Sequence, residues 1–431
     1  MKWVSLRRGF AAVLLAAVVI VDGASVFAAD ITLWPVAPRP TGTLADALDA
    51  LKSGKLAEAD ALFQRLLAND PNLALAALGR AQIAVAARNL DVADRAVTAV
   101  LSRQPSLPEA HNMKGVVLLL QKKTAAARGE FNKAIEFAPQ YVTPRLYLAS
   151  LSRAEGNHRQ AAADYQSLAK VAPRLPAAYI GQAEAHMLMD NPTAAFGALN
   201  AWKAADPRNL LPSRVIATVH LARGSAPLAI QELQGALKVD PKDAETLSAL
   251  GGAYLAAGNR QAASTQFAAA LALDPKNVTA AMGQAELAVA SGNTERALAA
   301  FRAVLAIDPA HAVAQNNVAW LLANQGTRLD EALRIASAVA TREPGYVDAH
   351  DTLGWVHYRR AEYARAAAAF KAAKALAPAR PDIAAHLGMA YAKIGQKKEA
   401  LSELKRALAP GNDLPNRAEL EGLVKTLSLA P

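Results

Sequence analysis

Ten prolines set the terms on which this chain folds. Pro71, Pro105, Pro139, Pro173, Pro207, Pro241, Pro275 and Pro309 stand 34 residues apart, Pro344 follows after 35, and Pro378 after a further 34. Proline cannot continue a helical hydrogen-bond ladder and restricts the residue before it, so a proline at a fixed interval is a stop at a fixed interval. The spacing predicts one short supersecondary unit copied along the chain.

Residues 244–277, AETLSALGGAYLAAGNRQAASTQFAAALALDPKN, show the unit most fully. Leu247, Leu250, Gly251 and Tyr254 fall at helical spacing on one face of a first helix. Gly258-Asn259 marks a turn. Ala263, Phe267 and Ala270 share a face of a second helix, and Asp274-Pro275 ends it. Gly251, Ala263 and Ala270 are small enough for two helix backbones to approach closely, while Phe267 and Leu250 fill the gaps. Each pair exposes an apolar face that only its neighbour can bury. The array therefore folds as coupled neighbours without a single globular core.

The pattern resembles the tetratricopeptide repeat over about nine tenths of the chain. Gly115, Gly251, Gly354 and Gly388 match the family's first-helix glycine; Gly54, Gly156, Gly224, Gly258, Gly292, Gly326 and Gly395 match its turn. Ala59, Ala93, Ala127, Ala161, Ala195, Ala229, Ala263, Ala297, Ala366 and Ala400 match the small residue that opens the second helix. Eleven units follow, starting near residues 40, 74, 108, 142, 176, 210, 244, 278, 312, 347 and 381, within an array from 43 to 410. Residues 411–431 add a capping helix, Leu414 to Leu427, with Asn416 as its N-cap. The resemblance implies an all-α fold, a right-handed α-solenoid superhelix whose first helices line a concave groove. Three departures stand out. The first unit is short of first-helix signals. In the second, Leu78-Gly79 sits two residues early and leaves the register open. In the ninth, the turn GTRLDEA holds one extra residue.

The N-terminus is an address. Lys2, Arg7 and Arg8 precede an apolar run from Gly9 to Val21, and Val26 and Ala28 are placed for a small-residue cleavage site. This is a secretory signal over residues 1–28, too short an apolar run for a spanning helix. Export to the periplasm is expected, with membrane attachment only if the signal stays uncleaved. Residues 29–42, ADITLWPVAPRPTG, form an extended proline-rich leader in which Trp34 offers a packing anchor. The chain has no cysteine, which suits an oxidising compartment and excludes disulfides, thiolate metal sites and a cysteine nucleophile. Net charge is +10 without a dense basic run, which allows an anionic polysaccharide as a partner. Nucleic acid is not expected of an exported chain.

Chemistry is scarce. No phosphate-binding loop, nucleophile elbow or H-E-x-x-H pair occurs. Ser167-Leu-Ala-Lys170 and Ser402-Glu-Leu-Lys405 match S-x-x-K but lack its partner motifs. His350 and His357, with Asp351 beside the first, are two turns apart on one helix and face the inside of their unit, as packed, hydrogen-bonded histidines do. The repeats consume the chain, so no catalytic residue, cofactor or metal is expected.

In the family's geometry the second, fifth, sixth, ninth, twelfth and thirteenth positions of each unit face the groove. In the ninth unit these include Asn316, Asn317, Trp320 and Asn324; in the tenth, Asp348, Asp351, Thr352, Trp355, Tyr358 and Arg359. The ligand-binding candidates are Asn316, Asn317, Trp320, Asp351, Thr352, Trp355, Tyr358 and Arg359. Adjacent aromatics flanked by amides and carboxylates suit an extended peptide or a sugar ring. The competing reading is that the two tryptophans only pack against each other and the second helices. The Lys/Asn pairs of a carboxylate clamp are missing: Asn112/Val116, Ile180/Glu184 and Ser248/Gly252 stand there instead. NNVAWLLANQG (316–326) and HDTLGWVHYRRAEYARAAAAF (350–370) are similar to the last repeats of exported bacterial proteins associated with exopolysaccharide production and the exosortase sorting system. The expected function is a non-enzymatic periplasmic scaffold that holds envelope or secreted proteins in its groove. The alternative is direct binding of polysaccharide or peptidoglycan by the aromatic groove.

Overall fold

The computed structural model describes residues 43–326 and 328–429, and the expected signal and leader lie outside them. Among the described residues there are 23 α-helices, α1 (Thr43–Lys52) to α23 (Arg417–Leu429), and no strand. Odd-numbered helices are the first, and even-numbered the second, of eleven consecutive pairs, with α23 after the last. The described residues form two compact units, one up to Glu232 and one from Leu233 onward, divided within α12 (Ala226–Leu237). Each is an all-α stack of antiparallel pairs in chain order, which is the solenoid arrangement. Among the described residues no helix is long and apolar enough to cross a membrane.

In the first unit the core is a relay of rings and small residues. Phe131 and Tyr147 stack with centroids 4.9 Å apart, and Tyr179 stacks on the fully buried Trp202 at 6.0 Å. In the second unit the same logic is clearest at Phe267, on α14 (Arg260–Leu273), which is 2% exposed. A Cβ on Gly251 of α13 (Ala244–Ala256) would lie 2.6 Å from its ring. Gly283 of α15 (Val278–Ala290) seats the other side of the ring and leaves no room for a Cβ either. One phenylalanine therefore locks its own pair to the next. Emptying such a site costs about 3–5 kcal/mol.

That second notch settles the register of the second repeat. Helix α3 (Ala74–Ala86) has the same 13 residues as α13, so nothing is shifted. Gly79 accepts the ring of Phe63 from the preceding second helix, α2 (Leu56–Asn69), as Gly283 accepts Phe267. It is a glycine of the sixth position, not a displaced one of the eighth. The ninth unit's extra residue also has a definite place. Helix α17 (Ala312–Gln325) has 14 residues and the connection to α18 (Leu329–Arg342) keeps its usual length, so the residue extends the helix and not the turn.

The turns show why glycine and asparagine adjoin. Gly258 has φ +80°, a left-handed conformation that a side chain disfavours. There the Asn259 amide N–H donates back to Tyr254 O at 2.9 Å, closing α13. The Asn259 side chain then accepts from the Ala262 N–H at 3.0 Å, opening α14. Where the glycine is missing, Arg88, Lys122, Asp190 and Ala361 adopt positive φ in its stead.

Helix α23 begins at Arg417, immediately after Asn416. Its Leu420 is fully buried with Ala384, Met389, Leu404 and Ala407, and Leu423, Val424 and Leu427 pack half-buried beside it. The Arg417 guanidinium donates to Leu408 O at 3.0 and 3.1 Å, tying the connecting loop to the end of α22 (Lys397–Ala407).

Candidate functional site

The site is assembled from α17, α19 (Val347–Arg359) and α21 (Pro381–Lys393), successive first helices of the second unit. Side chains at one repeat position recur on neighbouring first helices and meet. Trp320 and Trp355, both at the ninth position, stack with centroids 5.7 Å apart. One turn further along α19, Tyr358 lies parallel to Trp355, 5.4 Å away and 7° from coplanar. Tyr363, at the start of α20 (Tyr363–Leu376), meets Tyr358 edge-on at 5.3 Å. Trp320, Trp355 and Tyr358 are all half-buried.

The polar groups lock this ladder. The Trp355 indole N–H donates to Asn324 Oδ1 at 2.9 Å, and Arg359 Nη1 donates to Asn324 O at 3.1 Å. Asn317 Nδ2 donates to Val313 O at 2.8 Å within its own helix. Asn324 thus ties α17 to α19, a role that its repeat position on the groove face did not announce.

Three expected groove residues are covered by protein. Asn316 is 7% exposed, Asp351 5% and Thr352 2%. The reason for Asp351 is His386 of α21, whose Nδ1 lies 2.8 Å from Asp351 Oδ1. His386 also tilts against Trp355 (5.0 Å), Trp320 (6.0 Å) and Phe370 of α20 (5.4 Å). Sequence reasoning did not single it out. The available signal was its place at the sixth position of the eleventh unit, matching Asn317 and Thr352. Of the expected groove residues, Asn317, Trp320, Trp355, Tyr358 and Arg359 remain half-buried, and Trp355 and Tyr358 pack against the core of the last units.

Electrostatics follow from these contacts. Burial draws the His386 pKa down, but the Asp351 charge and hydrogen bond, with Asp382 further out, more than offset it, and the net shift is upward. At the edge of the site Arg380 reaches both Asp348 and Asp382, with Nε 3.1 Å from Asp382 Oδ1. Burial works to raise the Asp382 pKa, yet the Arg380 hydrogen bond and charge bring it below its ordinary value. Burial raises the Tyr358 hydroxyl, helped by Tyr363 and by Glu419 of α23.

The remaining sequence candidates have structural partners. His350 Nε2 lies 3.0 Å from Pro344 O, and His357 Nδ1 2.7 Å from Glu362 Oε2, as expected of packed histidines. Arg360 first, then His357, holds the Glu362 carboxyl down at about 2. Ser167 accepts a hydrogen bond from Arg145 at 2.7 Å. Among the described residues no cluster of three or more His, Asp or Glu is placed to hold a metal.

The family model described as tetratricopeptide repeat matches residues 44–93, 78–142, 148–209, 214–277, 248–312, 282–347 and 352–415. No curated protein matches the sequence. Among solved structures, the APC/C hetero-tetramer Cut9–Hcn1 is similar at 11% identity and TM-score 0.49, over 97% of this chain and 99% of that one. A tetratricopeptide repeat protein from Parabacteroides merdae is similar at 18% identity and TM-score 0.43, over 58% of this chain and 97% of that one. The type IV pilus biogenesis factor PilW is similar at 17% identity and TM-score 0.44, over 50% of this chain and 99% of that one.

Proposed function

The chain belongs to the tetratricopeptide-repeat family, and from that premise we propose that it is a periplasmic scaffold, non-enzymatic, that holds envelope or secreted proteins against the first helices of its second unit. The family commonly mediates protein–protein interactions and is typically non-catalytic. The observation that carries the site is the half-buried ladder of Trp320, Trp355 and Tyr358, braced by Asn324 and His386. Large rigid aromatic side chains held by neighbours supply contact area at little entropic cost, which is the chemistry of interface anchors. The pathway we propose is exopolysaccharide export or surface-protein sorting, on the likeness of 316–326 and 350–370 to repeats of exported proteins. The N-terminal signal supports export, and mass spectrometry of the mature N-terminus tests cleavage after Ala28. Co-purification from envelope extracts with the chain and with Trp355→Ala tests the site. Loss of the partner is expected, and an unchanged partner set overturns it.

The same rings favour a second reading, direct binding of an anionic polysaccharide or peptidoglycan. Faces of tryptophan and tyrosine stack on sugar rings, and Asn317 and Arg359 stand half-buried on the same two helices. Titrating glycans against tryptophan emission decides it, and a flat response removes it.

A further inference from the structure

Positive charge that the fold does not use collects at one cleft of the second unit. The cleft is about 210 Å³ and lies between α14, α15 and α16 (Thr294–Ile307), which pack in succession. Its wall includes Arg260, Gln261 and Ser264 of α14, Leu287 and Ala290 of α15, and Arg296 of α16. Ser264 stands where the next unit has the buried Leu298, and its short side chain leaves the wall open. Among the described residues neither the Arg260 nor the Arg296 guanidinium has a hydrogen-bond or ion-pair partner. Arg302, further along α16, is by contrast paired with Glu331.

Both arginines sit at the unfavourable end of a helix. Arg260 is the first residue of α14 and Arg296 the third of α16, where the macrodipole is positive and a cation destabilises. The first turns of α2 and α18 hold Glu58, and Asp330 with Glu331, instead. The acids nearby do not cancel the pair. No carboxylate lines the cleft. The three helices carry Glu286 and Glu295 against Arg260, Arg296 and Arg302, and Asp274 and Lys276 of the loop between α14 and α15 offset each other. Glu295 accepts a hydrogen bond from Gln325 of α17 at 2.5 Å, and burial raises the Glu286 pKa. We propose that this cleft binds a phosphoryl group, with Arg260 and Arg296 as two forks, the Gln261 amide and the Ser264 hydroxyl as further donors, and the body of a phosphate ester against Leu287 and Ala290. Each guanidinium presents paired N–H donors to a tetrahedral oxyanion, and two guanidiniums match its double charge, where a carboxylate would answer only one. The same helix dipoles that oppose the arginines favour an anion held between them.

Thermal unfolding of the full chain, followed by helical circular dichroism at about pH 8 where phosphate is a dianion, tests this against sodium chloride of equal ionic strength. The midpoint should rise saturably with inorganic phosphate and not with chloride. Arg260→Ala and Arg296→Ala should each weaken the apparent affinity about tenfold, and together abolish the response. Both side chains are exposed, so in chloride the variants should melt no lower than the natural chain, each having lost a cation from a first turn. Glucose 1-phosphate identifies the source: binding tighter than inorganic phosphate means an ester seated on Leu287 and Ala290, and binding no tighter means the free anion. A response to phosphate no greater than to chloride overturns the proposal, as does an undiminished response in the double variant or acetate binding as tightly as phosphate. The result is independent of the scaffold reading, whose aromatic ladder lies on α17 and α19.

Discussion

The seventh and tenth units share a frame and differ in what they hang on it. In both, a phenylalanine of the second helix is seated in a first-helix glycine notch, where a Cβ would stand 2.6 Å from Phe267 at Gly251 and 2.5 Å from Phe370 at Gly354. Across the junction to the next unit they part. Phe267 meets Gly283 at the sixth position, whereas Phe370 meets His386 there, and His386 carries Asp351 with it. At the ninth position the seventh unit has Gly252, with open space where a side chain would be, and the tenth has Trp355. Seated rings hold the stack together; the ninth position carries none of them in the seventh unit, where a side chain at Gly252 would meet open space.

The sharpest way to break that contrast is Phe267→Ala. It empties two notches at once and should lower stability by about 3–5 kcal/mol in chemical denaturation, with amide exchange rising first in α13 to α15. A loss confined to α13 and α14 would show that Gly283 is not coupled to the ring. Trp355→Ala removes a larger side chain yet should cost less, about 2 kcal/mol, because Trp355 is only half-buried. Equal losses for the two variants would place Trp355 in the core and not in a site.

A third test uses pH. His386 has a raised folded pKa, so the stability it gains from Asp351 is fully present below about pH 6.5 and is lost as pH climbs through the folded value. Thermal midpoints should fall across that window in the natural chain, and His386→Gln should flatten the fall. The groups facing His386 keep the direction clear: Asp351 and Asp382 favour the charged form and Arg380 opposes it. The smallest effect is expected at Ala361, which takes φ +62° where other units have glycine. Ala361→Gly should stabilise the tenth unit by about 1 kcal/mol and leave partner binding alone. A destabilised variant would mean that the Ala361 side chain makes a contact worth more than the strain.

Period and turns were legible because proline and glycine recur at fixed places in the unit; that Gly251 makes room for the Phe267 ring was not. Gly79 misled the register because two positions offer a notch to the same ring, and sequence spacing alone does not say which helix pair a ring belongs to. The site was half legible. Trp320 and Trp355 announced themselves by sharing a repeat position. Asp351 and Thr352 were expected at the groove and are buried, because His386 on the following first helix covers the carboxylate. Contacts between units, such as Phe267 with Gly283 and Asp351 with His386, join residues of two different repeats, and a unit read by itself conceals them.

A ring held in two clefts also sets how the array would yield under tension. Pulling α13 away from α14 frees Phe267 from Gly251 and leaves it in Gly283, half unsheathed, so the next hairpin loses part of its footing in the same event. Unravelling along such a stretch should proceed in strides of two hairpins, and where the sixth position is not glycine the stride should shorten to one.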